Sequence, residues 1–280
     1  MPPISFELRP GAVVKRPSDY QFSSMSYDAQ GELLLSWTDG TGPLMVEHVG
    51  TEQVPIALIG QPARFLEVQR FSDGRWLLAD MRCRKDELNC QILSPSLDPL
   101  HRFKAGDAIE QIIIDQDDNI WVGYFDENPT AGLLRFSADG QIMFDFGASS
   151  GLWVLDVYAM HLDRAGSVWA HPYPDFCLAK ISGETVTMIL DETPVKGARA
   201  LLAGGNHVAF FGSYEDDNAV FLLDLSRGAG DAVALTLDGK ELETDSPALI
   251  ATQGETASLL VGDKVCALHL SDLIRAVDGK

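Results

Sequence analysis

Basic residues are scarce in this chain: 21 Lys and Arg stand against 41 Asp and Glu among 280 residues, a formal net charge of −20. A duplex-binding surface needs a stripe of positive charge, and the densest basic cluster here is only Arg82, Arg84 and Lys85. Nucleic acid is therefore excluded as an expected partner. Long hydrophobic runs are missing too, since no stretch reaches the roughly 18 apolar residues of a membrane span. The start, Met1 to Pro10, lacks a basic segment followed by an apolar one, so the expectation is a cytoplasmic protein without a secretory leader. There are only four cysteines. Cys177 and Cys266 sit in apolar runs, where a thiol serves as a small hydrophobe. Cys83 and Cys90 flank a loop between two strands expected to pair, and whether they join depends on the redox state of the compartment. Their spacing fits no zinc motif. Absent as well are a Gly-x-Ser-x-Gly elbow, a His-Glu-x-x-His helix and a Gly-rich phosphate loop. No segment carries a sustained apolar stripe at helical spacing.

What the chain does have is a repeated sentence. From Glu110 to Asp145 it reads as four short strands. Ile112 to Asp115 is an apolar run, Asp117-Asp118-Asn119 is turn chemistry, and Ile120-Trp121-Val122-Gly123 is rich in β-formers. Asp126 to Pro129 then breaks the chain, Leu133 to Phe136 resumes it, Asp139-Gly140 turns it, and Ile142 to Phe146 closes the unit. The same order recurs at Tyr27 to Trp37, at Arg70 to Ala79 and at His161 to Ala170, where Asp163, Gly166 and Trp169 stand for Asp115, Asp118 and Trp121. Weaker copies run from Leu201 to Phe210 and from Leu249 to Leu260. A period of about 40 to 50 residues is that of a propeller blade with four strands.

The pattern Asp-x-x-Gly-x-(Ile/Leu/Val)-Trp-(Val/Ala), followed by Gly-Leu-Leu-Arg-Phe, resembles the repeat shared by NHL-type propellers, two-component-regulator propellers and gluconolactonase-like calcium-dependent hydrolases. The resemblance covers most of the chain and speaks to architecture, because this repeat serves enzymes, sensors and scaffolds alike. It implies an all-β, six-bladed β-propeller of four-stranded antiparallel blades, one domain over residues 1–280. The blades are expected near 20–62, 63–104, 105–150, 151–193, 194–240 and 241–274. The last has three convincing strands, so the alternating N-terminal strand at 3–9 is expected to complete it and close the ring.

Two functions of different class follow. In the first, loops between second and third strands form an acidic, aromatic-lined face for a protein, peptide or cationic ligand, most naturally a basic one. Its residues are Trp37, Asp39, Tyr124, Asp126, Glu127, Trp153, His171, Tyr173, Asp175, Tyr214, Glu215, Asp216 and Asp217, and no basic residues are expected near these carboxylates. Trp76, Trp121 and Trp169 are assigned instead to the layers between blades, and His161 to the core. No cofactor is needed. In the second, the resemblance to the hydrolases implies calcium or another divalent cation in the channel, held by oxygen ligands and activating water towards an ester or lactone. Counting back from each repeat's Asp gives Glu110, with Glu67 close to that position in the second blade. In the fourth the count falls on Tyr158, with Asp156 two residues earlier. The other blades give Ser23, Arg199 and either Asp245 or Ser246, which departs from the hydrolase pattern. The binding function is the one preferred.

Overall fold

The computed structural model describes residues 3–40, 43–51, 55–58, 65–128, 132–242 and 249–279. Thr41 and Gly42 of the first loop, Pro129 of the third, and the alternatives Asp245 and Ser246 lie outside the described residues. The chain divides into two compact units, Lys15–Val157 and Met1–Val14 with Tyr158–Lys280.

In Lys15–Val157 the strands form three four-stranded sheets among the described residues, each a run of neighbours paired antiparallel. They are Gln21–Tyr27, Leu33–Thr38, Leu44–His48 and Ile56–Leu58; then Leu66–Arg70, Trp76–Asp80, Cys90–Leu93 and Pro99–Phe103; then Ile109–Ile114, Ile120–Tyr124, Leu133–Phe136 and Ile142–Asp145. Apolar side chains of one sheet meet those of the next. Leu34, Val46 and Leu58 pack with Val68, Trp76 and Leu78, while Leu77, Ala79 and Ile92 pack with Ile112, Ile114 and Val122. Each such side chain, fully buried, contributes about 1.5–3 kcal/mol, and no sheet buries its faces alone.

The second unit repeats the scheme. Asp156–Leu162, which crosses the unit boundary, leads into Val168–Tyr173, Leu178–Ser182 and Thr185–Leu190. Ala200–Gly204, His207–Phe211, Val220–Asp224 and Ala229–Leu237 follow, then Leu249–Gln253, Thr256–Val261 and Lys264–His269. A single parallel register pair, Leu162 with Gln253, links the first of these runs to the last. The N-terminal segment departs from expectation. It is two strands rather than one: Ile4–Glu7 runs parallel to Ala229–Leu237, and Arg9–Val13 is the one that pairs with Lys264–His269. Pro10 and Gly11 mask this second strand in the sequence, and the register shift between Pro10 and Ala12 accommodates them.

The repeated Asp has a physical explanation. Asp163 Oδ1 accepts the backbone N–H groups of Ala165 (2.9 Å) and Ser167 (2.9 Å), and Oδ2 accepts the indole N–H of Trp169 at 2.9 Å. Asp115 does the same for Asp117, Asn119 and Trp121, at 3.0, 2.9 and 2.8 Å. One carboxylate thus satisfies the turn and ties the tryptophan to it. The position three residues on has a left-handed backbone, φ 81° at Gly166 and 61° at Asp118, which explains glycine or aspartate there. Trp76, Trp121 and Trp169 are buried, as their assignment to the layers requires.

A second correction concerns helices. Leu270–Asp278 is helical, with Leu270 and Leu273 buried and Ile274 and Val277 packed on the same core. That i, i+3, i+4, i+7 stripe is present in the sequence, but its nine residues are too short to stand out against the strand periodicity. Among the described residues no helix is long and apolar enough to cross a membrane. All four cysteines are free thiols.

Candidate functional site

In the unit containing Tyr158–Lys280, three tyrosines and a phenylalanine form an aromatic knot. Tyr158 lies on the strand Asp156–Leu162, Tyr173 ends Val168–Tyr173, and Tyr214 sits in the loop after His207–Phe211. The Tyr158 ring meets Tyr214 edge-on with centroids 5.6 Å apart, and Tyr173 at 6.3 Å. Phe176 contacts all three at 5.4 to 5.8 Å. The hydroxyls of Tyr158 and Tyr214 share a hydrogen bond. Edge-to-face contacts of this kind add about 0.5–1.5 kcal/mol each beyond burial, so the rings hold one another in place.

Local backbone chemistry sets Tyr214. Its N–H bonds to the Lys196 carbonyl at 3.0 Å. Its ring lies over Gly197 so closely that a Cβ there would come within 2.5 Å of Tyr214 Cδ1, and Gly197 also has φ 74°. Only glycine lets the ring lie down. Tyr214 remains 59% exposed; Glu215, next to it in sequence, is exposed, Asp216 and Asp217 are half-buried, and Asp175, the residue before Phe176, is exposed. Asp216 Oδ1 accepts the Asn218 N–H at 2.9 Å and so shapes the loop. The knot already holds one cation, since Lys196 Nζ stands 5.8 Å from the Phe176 ring centre.

His171 belongs below this surface rather than on it. It is 0% exposed, packed between Phe176 and Phe210, with Nδ1 bonded to the Cys177 carbonyl at 3.2 Å. Burial pushes its pKa down to about 4. His161 is likewise a core residue, bonded to Thr252 Oγ1 and to the Gly254 carbonyl, both at 3.1 Å.

In Lys15–Val157 the expected site residues separate. Trp37 is 2% exposed and Tyr124 is buried with its hydroxyl donating to the Ala105 carbonyl. Both belong to the packing, because their rings complete the core beneath the loops that follow them. Glu127 is engaged by Arg82 Nη2 at 2.6 Å, and Arg82 Nε also binds Asp107 at 3.1 Å. These loops thus do have a basic partner, contrary to expectation, and the Arg82 that supplies it lies 45 residues earlier in the sequence. Asp39 and Asp126 are exposed, and Trp153 presents 70% of its surface.

The proposed metal ligands behave differently. Burial raises Glu67 to about 8, partly offset by Gln69. Asp156 is raised to about 7 by burial, then by the charges of Glu110 and Asp126. Yet among the described residues no group of three or more His, Cys, Asp or Glu side chains is arranged to hold an ion. A hard cation requires several converging oxygens, and Glu67, Glu110 and Asp156 do not supply them together. Among the described residues the candidate ligands do not form the group of converging oxygens that a calcium site needs.

No protein family matches the chain, and no curated protein is similar to it in sequence. Solved structures are similar in fold. Virginiamycin B lyase from Staphylococcus aureus superposes with a TM-score of 0.56 at 12% identity, over 94% of this chain and 98% of the lyase. The PQQ-bound aldose sugar dehydrogenase of Streptomyces coelicolor gives 0.56 at 12%, covering 94% and 96%. A chain of a nidogen/laminin complex gives 0.51 at 12%, covering 76% and 79%. At these identities the likeness is one of fold: the protein is a β-propeller.

Proposed function

We propose that this chain is a six-bladed propeller, with Arg9–Val13 as the fourth strand of the last blade, that works as a non-catalytic binding module for a basic peptide or protein segment. The observation that carries this reading is the knot of Tyr158, Tyr173, Phe176 and Tyr214, with Tyr214 exposed on its outer side. Rigid aromatic rings beside carboxylates attract ammonium and guanidinium groups by charge and by ring face. Lys196 over Phe176 supports it by doing the same thing within the chain. The nidogen/laminin complex supports a protein partner, since a chain of like fold is there part of a protein assembly.

A fluorescein-labelled oligolysine peptide is expected to bind the protein, more weakly as salt rises. The variant Asp175→Asn/Glu215→Gln/Asp217→Asn is expected to weaken it about tenfold. A control that neutralises three exposed carboxylates elsewhere, Glu184→Gln/Asp263→Asn/Asp278→Asn, is expected to bind as the natural chain does. Equal loss in both variants would mean that net charge alone attracts the peptide, and would remove the docking surface.

A further inference from the structure

A groove of about 550 Å3 opens between the end of the strand Thr185–Leu190, with the loop that follows it, and the strand Val220–Asp224. Its walls are apolar. Phe221, Leu223 and Leu225 alternate along the chain and so face one side, and Leu190 joins them in the lining. Leu223 is buried, but Leu190, Phe221 and Leu225 are only half-buried. Gly230 keeps the groove open. Its register partner is Leu223, and a Cβ at Gly230 would come within 2.5 Å of Phe221 Cε1, so the Phe221 ring lies against bare backbone and any larger residue would displace it. One end of the groove reaches the docking surface, because a single loop serves both. Thr193 and Lys196 line the groove, while the Thr193 N–H bonds to the Phe176 carbonyl at 2.9 Å and the Lys196 carbonyl accepts the Tyr214 N–H at 3.0 Å. Lys196 is the only basic side chain among the described lining residues, and Glu192 Oε1 balances it at 3.5 Å. Asp175 precedes Phe176 and Glu215 follows Tyr214, both exposed, so the rim shared by groove and knot carries more acid than base.

We propose that the groove takes one aliphatic side chain of the basic segment that docks on the knot, so that the partner carries a leucine-like residue a few positions from its lysines. This deepens the docking reading and rests on it. The lining selects the class. Leu190, Phe221, Leu223 and Leu225 offer half-covered hydrocarbon, which gains from being covered further, and the Lys196–Glu192 pair is already satisfied and calls for no charge inside. An apolar anchor seated in a pocket beside a charged rim is how interfaces concentrate their affinity. A volume of about 550 Å3 falls within the roughly 300–1,000 Å3 of small binding sites. It admits a branched side chain together with the carbon stem of a neighbouring lysine, whose ammonium stays at the acidic rim.

The test compares, by fluorescence anisotropy on the whole chain, a labelled oligolysine with a Gly-Ser tail and the same peptide with one tail residue replaced by leucine, moved along the tail one position at a time. At one position or more the leucine peptide is expected to bind about tenfold tighter than the Gly-Ser peptide. Leu190→Asn and Leu225→Asn, made separately, are expected to remove that advantage and to bind the Gly-Ser peptide as the natural chain does, which also shows that they are folded. Equal affinity at every position would overturn the groove proposal and leave the docking surface standing. No binding of either peptide would overturn both. A leucine advantage that survives in both variants would put the anchor elsewhere and overturn the proposal too. So would self-association of the natural chain in sedimentation that both variants abolish, which would assign the groove to a second copy.

Discussion

Asp163→Ala is expected to destabilise the protein by about 3–6 kcal/mol, the largest effect of any single substitution considered. Three buried or half-buried donors lose their acceptor at once: the N–H groups of Ala165 and Ser167 and the indole of Trp169. Each orphaned donor costs about 1–3 kcal/mol, well above the net worth of an ordinary hydrogen bond. Lys180 Nζ, 2.8 Å from Oδ2, also loses its partner. Burial opposes the charge of Asp163, but the bonds from Lys180, Trp169 and Ser167 outweigh it and hold the carboxyl below its ordinary pKa. Asp163→Asn keeps one acceptor and can still hold the turn, so its loss is expected to be about half as large. Urea denaturation of both variants measures this. A loss under about 1 kcal/mol in Asp163→Ala would show that the repeated Asp is not what fastens the hairpin to its tryptophan.

Glu67→Gln has the opposite expected sign: it stabilises, and increasingly so at alkaline pH. Glu67 moves from 4.5 to about 8 on folding because burial disfavours its charge. The folded chain therefore keeps a proton that the unfolded chain gives up, and stability is full below about 4.5 and lost as pH rises through about 8. Asp156, raised from 3.8 to about 7, acts in the same sense. His161 and His171 act in the other. Burial lowers both from 6.5 to about 4, so each contributes about 3 kcal/mol above pH 6.5 that is lost as pH falls towards 4. Between about 4.5 and 6.5 the carboxyls and imidazoles offset one another, which predicts a flat profile there. Above 6.5 the carboxyls act alone and the melting temperature is expected to fall. Glu67 keeps some solvent contact, so screening reduces its share to on the order of 2 kcal/mol at pH 8.5. At roughly 2–4 °C per kcal/mol, Glu67→Gln is then expected to melt about 4–8 °C higher than the natural chain at pH 8.5 and equally at pH 4.5. Parallel profiles for the two proteins would contradict the buried-carboxyl argument.

Asp163 also marks where the sequence was legible. The hairpins could be read because Asp-x-x-Gly-x-x-Trp is a local device, with donors and acceptor within seven residues of one another. Local chemistry of that kind survives in the sequence as spacing. The strand Arg9–Val13 was not legible, since Pro10 and Gly11 argue against a strand and its partner, Lys264–His269, is far along the chain. Depth was the other missing quantity. Trp37 and Tyr124 precede acidic loops just as Tyr173 does, and nothing local distinguishes a ring under the loop from one beside it. Tyr158 illustrates the reverse error. Counting along the repeat placed it where hydrolases carry a metal ligand, and the structure turns its ring to Tyr173 and Tyr214 instead. Phe176 reads in the sequence as part of the apolar strand that holds Cys177, whereas it has φ 50° and precedes the strand Leu178–Ser182; a buried phenylalanine in a left-handed turn leaves no sequence signal. The Arg82 to Glu127 pair was missed because it joins separate sheets.

The measurement that bears most directly on the docking function is oligolysine binding to Tyr214→Ala and Tyr214→Phe side by side, by fluorescence anisotropy at fixed salt. Phe keeps the ring over Gly197 and loses only the hydroxyl bond to Tyr158, so it is expected to bind within about twofold of the natural chain. Ala removes the exposed ring, and losing about 1 kcal/mol of ring and cation contact corresponds to at least about fivefold weaker binding. Unchanged binding by Tyr214→Ala would contradict the account, because the one ring that the knot holds out to solvent would then contribute nothing to what the protein binds.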